Sequence, residues 1–134
     1  MKRATGLSYI LTLISVITIA CSGESADPRA YSDPTDTIRV AIGDQFKIVL
    51  EANPTTGYSW QFVGEVDSTL LKLVESKHEP LPNPKKLMGR GGHHHWLFEA
   101  LREDTTTISL RYLQPWDSTS VHRTVDFFVK IKKD

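Results

Sequence analysis

Cys21 is the only cysteine in the 134-residue chain, so no intrachain disulfide can brace the fold and no thiol pair is available for redox chemistry. An excess of charge of one sign is lacking too. The 16 basic residues balance 16 acidic ones, which leaves no electrostatic reason to expect nucleic acid as a partner. The longest apolar run, residues 7–20, falls short of the ~20 residues that span a bilayer. A G-x-S-x-G elbow and a regular metal-ligand motif are also absent. With no catalytic constellation, no enzyme activity and no cofactor are expected.

What is present begins with a targeting pattern. Lys2 and Arg3 precede the apolar run, and residues 1–20 read as a signal peptide that is removed. Cys21 follows directly. Ile19-Ala20-Cys21 resembles the end of a bacterial lipobox, although Thr18 stands where leucine is usual. Cys21 is therefore expected to carry lipid. At ~0.8 kcal/mol per buried CH₂, a multiply acylated cysteine holds a soluble domain firmly at a membrane. The protein is expected to be exported and lipid-anchored to the bacterial membrane, with Ser22 favouring the outer membrane in a Gram-negative host. Residues 22–36 are polar, hold Pro28 and Pro34 and show no apolar period. Residues 21–36 read as the lipidated cysteine and a flexible tether, with a reach on the order of 20 Å.

From Thr37 to Asp134 the pattern becomes alternation at period two, the mark of half-buried strands. The alternating sets are Ile38, Val40 and Ile42; Phe46, Ile48 and Leu50; Tyr58, Trp60 and Phe62; a weaker set with Leu71 and Leu73; Trp96, Phe98 and Ala100; Ile108, Leu110 and Tyr112; and Val125, Phe127, Val129 and Ile131. These predict an all-β domain, an immunoglobulin-like antiparallel β-sandwich of about seven strands. If successive strands alternate in direction, the connections near residues 53–57, 77–92 and 114–123 gather at one end. Loops at one end of a rigid sandwich make a composite binding edge.

Each of those loops has its own chemistry. In Asn53-Pro54-Thr55-Thr56-Gly57-Tyr58, Pro54 fixes its φ and pushes Asn53 into an extended conformation, and Gly57 permits a positive φ. A stiff wedge tipped by two small hydroxyl side chains is expected, and a stiff wedge loses little entropy on entering a cleft. Gly89-Arg90-Gly91-Gly92 lets another backbone approach closely, and phosphate binding is discounted because no helix follows. Trp116 in Gln114-Pro115-Trp116-Asp117 is either folded back on the core or displayed as an interface anchor.

Together these residues resemble the chagasin family of cysteine peptidase inhibitors, whose pattern is an Asn-Pro-Thr-Thr-Gly-aromatic loop, a Gly-x-Gly-Gly loop and a loop with Arg-Pro-Trp. The resemblance spans about residues 38–132, with Gln114 in place of the family's Arg. It implies a reversible inhibitor that plugs the cleft of papain-like cysteine peptidases without being cleaved. By the same resemblance, residues 53–57 lie over the catalytic Cys–His pair. Gly89, Arg90, Gly91 and Gly92 lie on the non-primed side, and Pro115 and Trp116 on the primed side. The partners expected are papain-like cysteine peptidases, met by a monomer, and the membrane through Cys21.

Two other readings compete. His93-His94-His95 suggests a metal, with Glu99 or Asp126 as further ligands, but two imidazoles on one strand face make a poor site. A lipid-anchored adhesion module would share the fold and tether and would not need the loop motifs. The targeting pattern yields its own test. Cys21→Ala is expected to release the domain from membranes or block its processing, read by membrane fractionation and intact mass. Unchanged maturation and fractionation would refute lipidation.

Overall fold

The computed structural model describes residues 26–134. The signal segment, Cys21 and the start of the expected tether lie outside the described residues. Period-two burial builds eight strands: β1 (Arg29–Tyr31), β2 (Ile38–Ala41), β3 (Gln45–Ala52), β4 (Ser59–Phe62), β5 (Leu71–Pro80), β6 (Gly92–Ala100), β7 (Asp104–Leu113) and β8 (Arg123–Lys132). In β8, Val125, Phe127, Val129 and Ile131 are buried while the residues between them are exposed. A side-chain period of two sends those residues to one face and the polar ones to the other.

Two four-stranded sheets result, in the orders β1-β3-β6-β5 and β2-β8-β7-β4, and they share one hydrophobic core. Phe46 stacks on Phe98 within the first sheet with ring centroids 5.5 Å apart. Phe62 of the second sheet meets Trp96 and Phe98 edge-on at 6.2 and 6.3 Å. Such aromatic pairs contribute about 0.5–1.5 kcal/mol each beyond the area they bury. Trp60 of β4 donates its indole N–H to the Glu51 carbonyl at 2.8 Å, which ties the two sheets together close to the ends of β3 and β4.

The all-β expectation is met, with three differences in detail. The stretch expected as a tether contains β1, which pairs parallel with β3 and buries Tyr31 against Phe46. Three residues are too few to show a period. β2 likewise runs parallel to β8, because an even number of reversals separates the first and last strands of the alternating series. The connection expected to open at Lys77 begins after Pro80, since β5 continues beside β6 to the Pro80–Gly92 pair. β5 is an edge strand with little to cover. A register shift between Leu73 and Glu75 leaves Leu73 and Val74 exposed, and Ile42 is exposed in the turn between β2 and β3.

The alternation of direction carries the connections 53–58, 81–91 and 114–122 to one end. The β2–β3 turn lies at the other, where the Gly43 N–H donates to the Ala100 carbonyl at 2.8 Å. Tyr31 makes the placement of β1 testable. A chain begun at Thr37 is expected to melt roughly 10 °C below one begun at Ala26, because removing a buried aromatic from an edge costs about 2 kcal/mol. Coincident melting curves would show that β1 contributes nothing.

Candidate functional site

The first loop is held by Asn53. Pro54–Thr56 forms one 3-10 turn, with Asn53 at φ −127°, ψ 90° before it and Gly57 at φ +80° after it. The Asn53 Oδ1 accepts from the Thr55 N–H at 3.2 Å and from the Thr55 hydroxyl at 2.5 Å. The Thr56 hydroxyl donates to the Asn53 carbonyl at 2.7 Å. The wedge is therefore stiff, as expected, but both threonine hydroxyls turn inward onto Asn53. Its exposed surface is made of Pro54 and the remainder of Thr55 and Thr56.

Asn53 also reaches the second loop, donating from Nδ2 to the Gly89 carbonyl at 2.9 Å. The four residues of the glycine motif do different jobs. Gly89 has a positive φ of +75° and open space around it, and Arg90 is exposed. A Cβ at Gly91 would meet the Ala52 carbonyl at 3.2 Å, and one at Gly92 would collide with the Glu79 carbonyl and Pro80. The close backbone approach that the glycines permit is thus taken up, at Gly91 and Gly92, by the chain's own strands.

The third loop is braced by Ser120 and Asp117. The Gln114 N–H donates to the Ser120 hydroxyl at 2.8 Å, which in turn donates to the Asp117 carbonyl at 2.6 Å. The Thr119 hydroxyl and N–H both donate to Asp117 Oδ1, which holds that carboxyl below its ordinary pKa. Pro115 is exposed and Gln114 half-buried. Trp116 is displayed, with 72% of its surface exposed, and one edge of its ring lies over Gly57. A Cβ at Gly57 would sit 2.6 Å from the Trp116 Cη2. The three loops therefore form one continuous edge.

Two contributors to this edge escaped the sequence reading. Tyr112 accepts the Asn53 N–H on its hydroxyl at 2.9 Å and packs its ring against Tyr58 and Trp60 at 5.4 and 5.0 Å. It read only as one of the alternating apolar residues of its strand. Leu87 and Met88 form the tip of the second loop, with Met88 97% exposed. An apolar pair between lysines and glycine was the available signal.

His93 and His95 share the outer face of β6 with rings 6.5 Å apart, and Glu79 Oε2 lies 3.4 Å from the Nε2 of His95. Glu99 pairs with Gln45 at the far end of β6, and Asp126 lies in the other sheet with the Ser109 hydroxyl. Among the described residues no group of three His, Cys, Asp or Glu is placed to hold a metal ion. His94 points the other way, stacked on Trp96 at 4.3 Å with its Nε2 2.8 Å from the Ser76 hydroxyl. Burial, and then the nearby His78 and His95, hold its pKa below the ordinary value.

A model of the chagasin family of peptidase inhibitors, I42, matches residues 39–131. Chagasin of Trypanosoma cruzi is 35% identical over 99 residues, covering 72% of this chain and 87% of that protein. Amoebiasin-2 of Entamoeba histolytica is 33% identical over 101 residues, covering 74% and 80%. Among solved structures, a cysteine protease inhibitor from Entamoeba histolytica superposes with a TM-score of 0.66 at 26% identity, over 78% of this chain and 95% of that one.

Gly57→Ala is expected to lower stability by about 1 kcal/mol or more, because the new Cβ meets both a positive φ and the Trp116 ring. Thermal melting and tryptophan emission read the two consequences. An unshifted spectrum together with native stability would mean that the ring does not rest on Gly57. The second expectation concerns pH. The folded pKa of His94 lies below the ordinary histidine value of about 6.5, so the unfolded chain takes up this proton first as the pH falls. The site's full contribution is present above that value, declines between it and the folded pKa, and then levels off. Melting temperature should fall as the pH drops below about 6.5, and fall less in His94→Gln. An identical fall in both proteins would assign the effect elsewhere.

Proposed function

The chain belongs to the chagasin family of peptidase inhibitors, and we propose that it reversibly inhibits papain-like cysteine peptidases by seating its three-loop edge in their active-site cleft. One observation carries this reading. Asn53 links the first loop to the second through Gly89, and Trp116 links the third to the first over Gly57, so the three family motifs act as one rigid surface. The wedge of residues 54–56 enters over the catalytic pair. Its narrowness comes from one 3-10 turn and from hydroxyls folded onto Asn53. Gly89, Arg90 and the Leu87–Met88 tip cover the non-primed side, with Gly91 keeping that loop close to the wedge and Gly92 letting β6 pair closely with β5. Pro115 and Trp116 cover the primed side, and Gln114 sets the base of that loop.

The inhibitor is not an enzyme and is not consumed. The turn is closed by its own hydrogen bonds and is not an extended strand offering a scissile bond. We further propose that it acts as a monomer, exported and lipid-anchored through Cys21. The apolar run before Cys21 supports the anchor. So does the position of Ala26 beside the β2–β3 turn, since the chain then enters at the end away from the loops. An adhesion module on the same scaffold would need none of the loop-to-loop contacts.

Titration against papain and a cathepsin-L-like enzyme is expected to give one-to-one inhibition, with the inhibitor intact by mass after long incubation. Thr56→Trp should weaken binding strongly while lowering the melting temperature only slightly, because a loop tip contributes little core and the Thr56 N–H still donates to the Asn53 carbonyl after the hydroxyl is lost. Trp116→Ala should cost about 2 kcal/mol, roughly thirtyfold in the inhibition constant and mainly in the dissociation rate. Gln114→Arg is expected to hold or tighten binding, since it restores a fixed charge and a stacking plane. Unchanged inhibition by both the Thr56→Trp and Trp116→Ala proteins would remove these loops from the binding edge, and absence of inhibition would favour adhesion.

A further inference from the structure

Charge is distributed unevenly over the three loops. The first, residues 53–58, holds no carboxylate and no cation, and the third, residues 114–122, holds Asp117 and His122. The second, residues 81–91, holds Lys85, Lys86 and Arg90 and no carboxylate. In a chain whose charges balance overall, this concentrates positive charge on one flank of the edge. Among the described residues none of these three cations lies in an ion pair. The pairs present join Lys47 to Asp27, Lys77 to Glu75 and His95 to Glu79.

The backbone that bears the cations is also held in place. Asn83 clasps the turn beneath them, donating from Nδ2 to the Leu87 carbonyl at 2.7 Å and accepting the Leu87 N–H on Oδ1 at 2.8 Å. The Lys86 N–H donates to the Asn83 carbonyl at 3.1 Å. Lys86 has a φ of +51° and is, among the described residues, the only non-glycine residue in the left-handed region. A lysine held there carries a conformational cost that a free surface loop would relax. Pro82 and Pro84 stiffen the same segment, and the Asn53–Gly89 hydrogen bond fixes it to the wedge. The charged side chains therefore project from a defined backbone beside the wedge, and act on a partner with little loss of loop entropy.

We propose that the second loop selects, among papain-like cysteine peptidases, those whose surface flanking the cleft on the non-primed side is acidic. The proposal rests on the inhibitory reading above and names the kind of target that reading leaves open. Exposed charges at the rim of an interface act mainly on encounter. They raise the association rate for a partner of opposite sign and disfavour one of like sign, and salt screens both effects. The neutral wedge and Trp116 would then hold the complex once formed, whatever the charge of the rim.

The test compares two papain-like peptidases that both bind the inhibitor, one with an acidic and one with a neutral or basic rim on that side. Stopped-flow association is measured at several salt concentrations. The variant is Lys85→Ser with Lys86→Asn, asparagine being chosen because it tolerates the left-handed conformation. For the acidic-rimmed enzyme, association should slow about tenfold between about 20 and about 200 mM salt, and the double variant should lose most of that dependence. The dissociation rate should change less than about twofold. For the other enzyme, the double variant should associate as fast as the parent or faster. Salt-independent association of the parent with the acidic-rimmed enzyme would overturn the proposal. So would equal slowing of the variant on both enzymes. Either result leaves inhibition itself intact, whereas failure to inhibit any papain-like enzyme would strike the functional reading instead.

Discussion

Asn53 is half-buried at the junction of the two sheets, and each of its polar groups has a partner. Its N–H donates to the Tyr112 hydroxyl, its Nδ2 to the Gly89 carbonyl, its Oδ1 accepts from Thr55, and its carbonyl accepts from Thr56. The side chain must therefore donate to one loop and accept from another. A carboxylate would set its charge against the Gly89 carbonyl and supply no donor. A hydroxyl would be too short to span both loops. A half-buried amide with unpaired ends would lose about 1–3 kcal/mol for each group left without a partner. That constraint places the wedge relative to the sandwich and the second loop relative to the wedge.

The glycines complete what Asn53 begins. Gly92 allows β5 and β6 to stay paired up to Pro80, and Gly91 lets the chain pass beside Ala52 and Asn53 without a Cβ in the way. Gly57 serves twice, by taking up the positive φ that ends the 3-10 turn and by leaving room for the Trp116 ring. Trp116 then has one edge supported and the rest of its surface in water. A large, rigid aromatic ring supported along one edge brings contact area to an interface at a lower entropic cost than a flexible side chain of the same size.

Much of this was legible in the sequence, because alternation at period two depends only on which side chains water rejects. Runs such as Val125, Phe127, Val129 and Ile131 state their strand and their face, and parity alone brings three connections to one end. Features with too little repetition were not legible. β1 has three residues, and its case rests on Tyr31, which no period flags. The extent of β5 was hidden for the opposite reason: as an edge strand with exposed residues on both faces, it carries almost no hydrophobic pattern. Tyr112 was visible as an apolar residue, but its use of a hydroxyl 59 positions from Asn53 is a tertiary fact that no local rule supplies. The inward turn of the Thr55 and Thr56 hydroxyls likewise depends on where the Asn53 amide points.

The same physics explains how one scaffold supports a division of labour along its edge. The first loop is neutral, short and bonded to itself, so its fit depends on shape and varies little with the electrostatics of a partner. The second loop carries Lys85, Lys86 and Arg90 on an exposed turn that is anchored at both ends, by Asn83 within the loop and by Asn53 from outside it. Substitutions there change charge without disturbing a core, because none of the residues from 81 to 90 is buried. The third loop contributes area through Trp116 and is braced by Ser120 and Asp117 independently of the other two. Shape, charge and apolar area thus reside on separate segments that meet, besides the edge-on Tyr58–His122 ring pair, at two contacts, Asn53 with Gly89 and Trp116 with Gly57. Each segment is free to vary in sequence while those two contacts keep the edge a single surface.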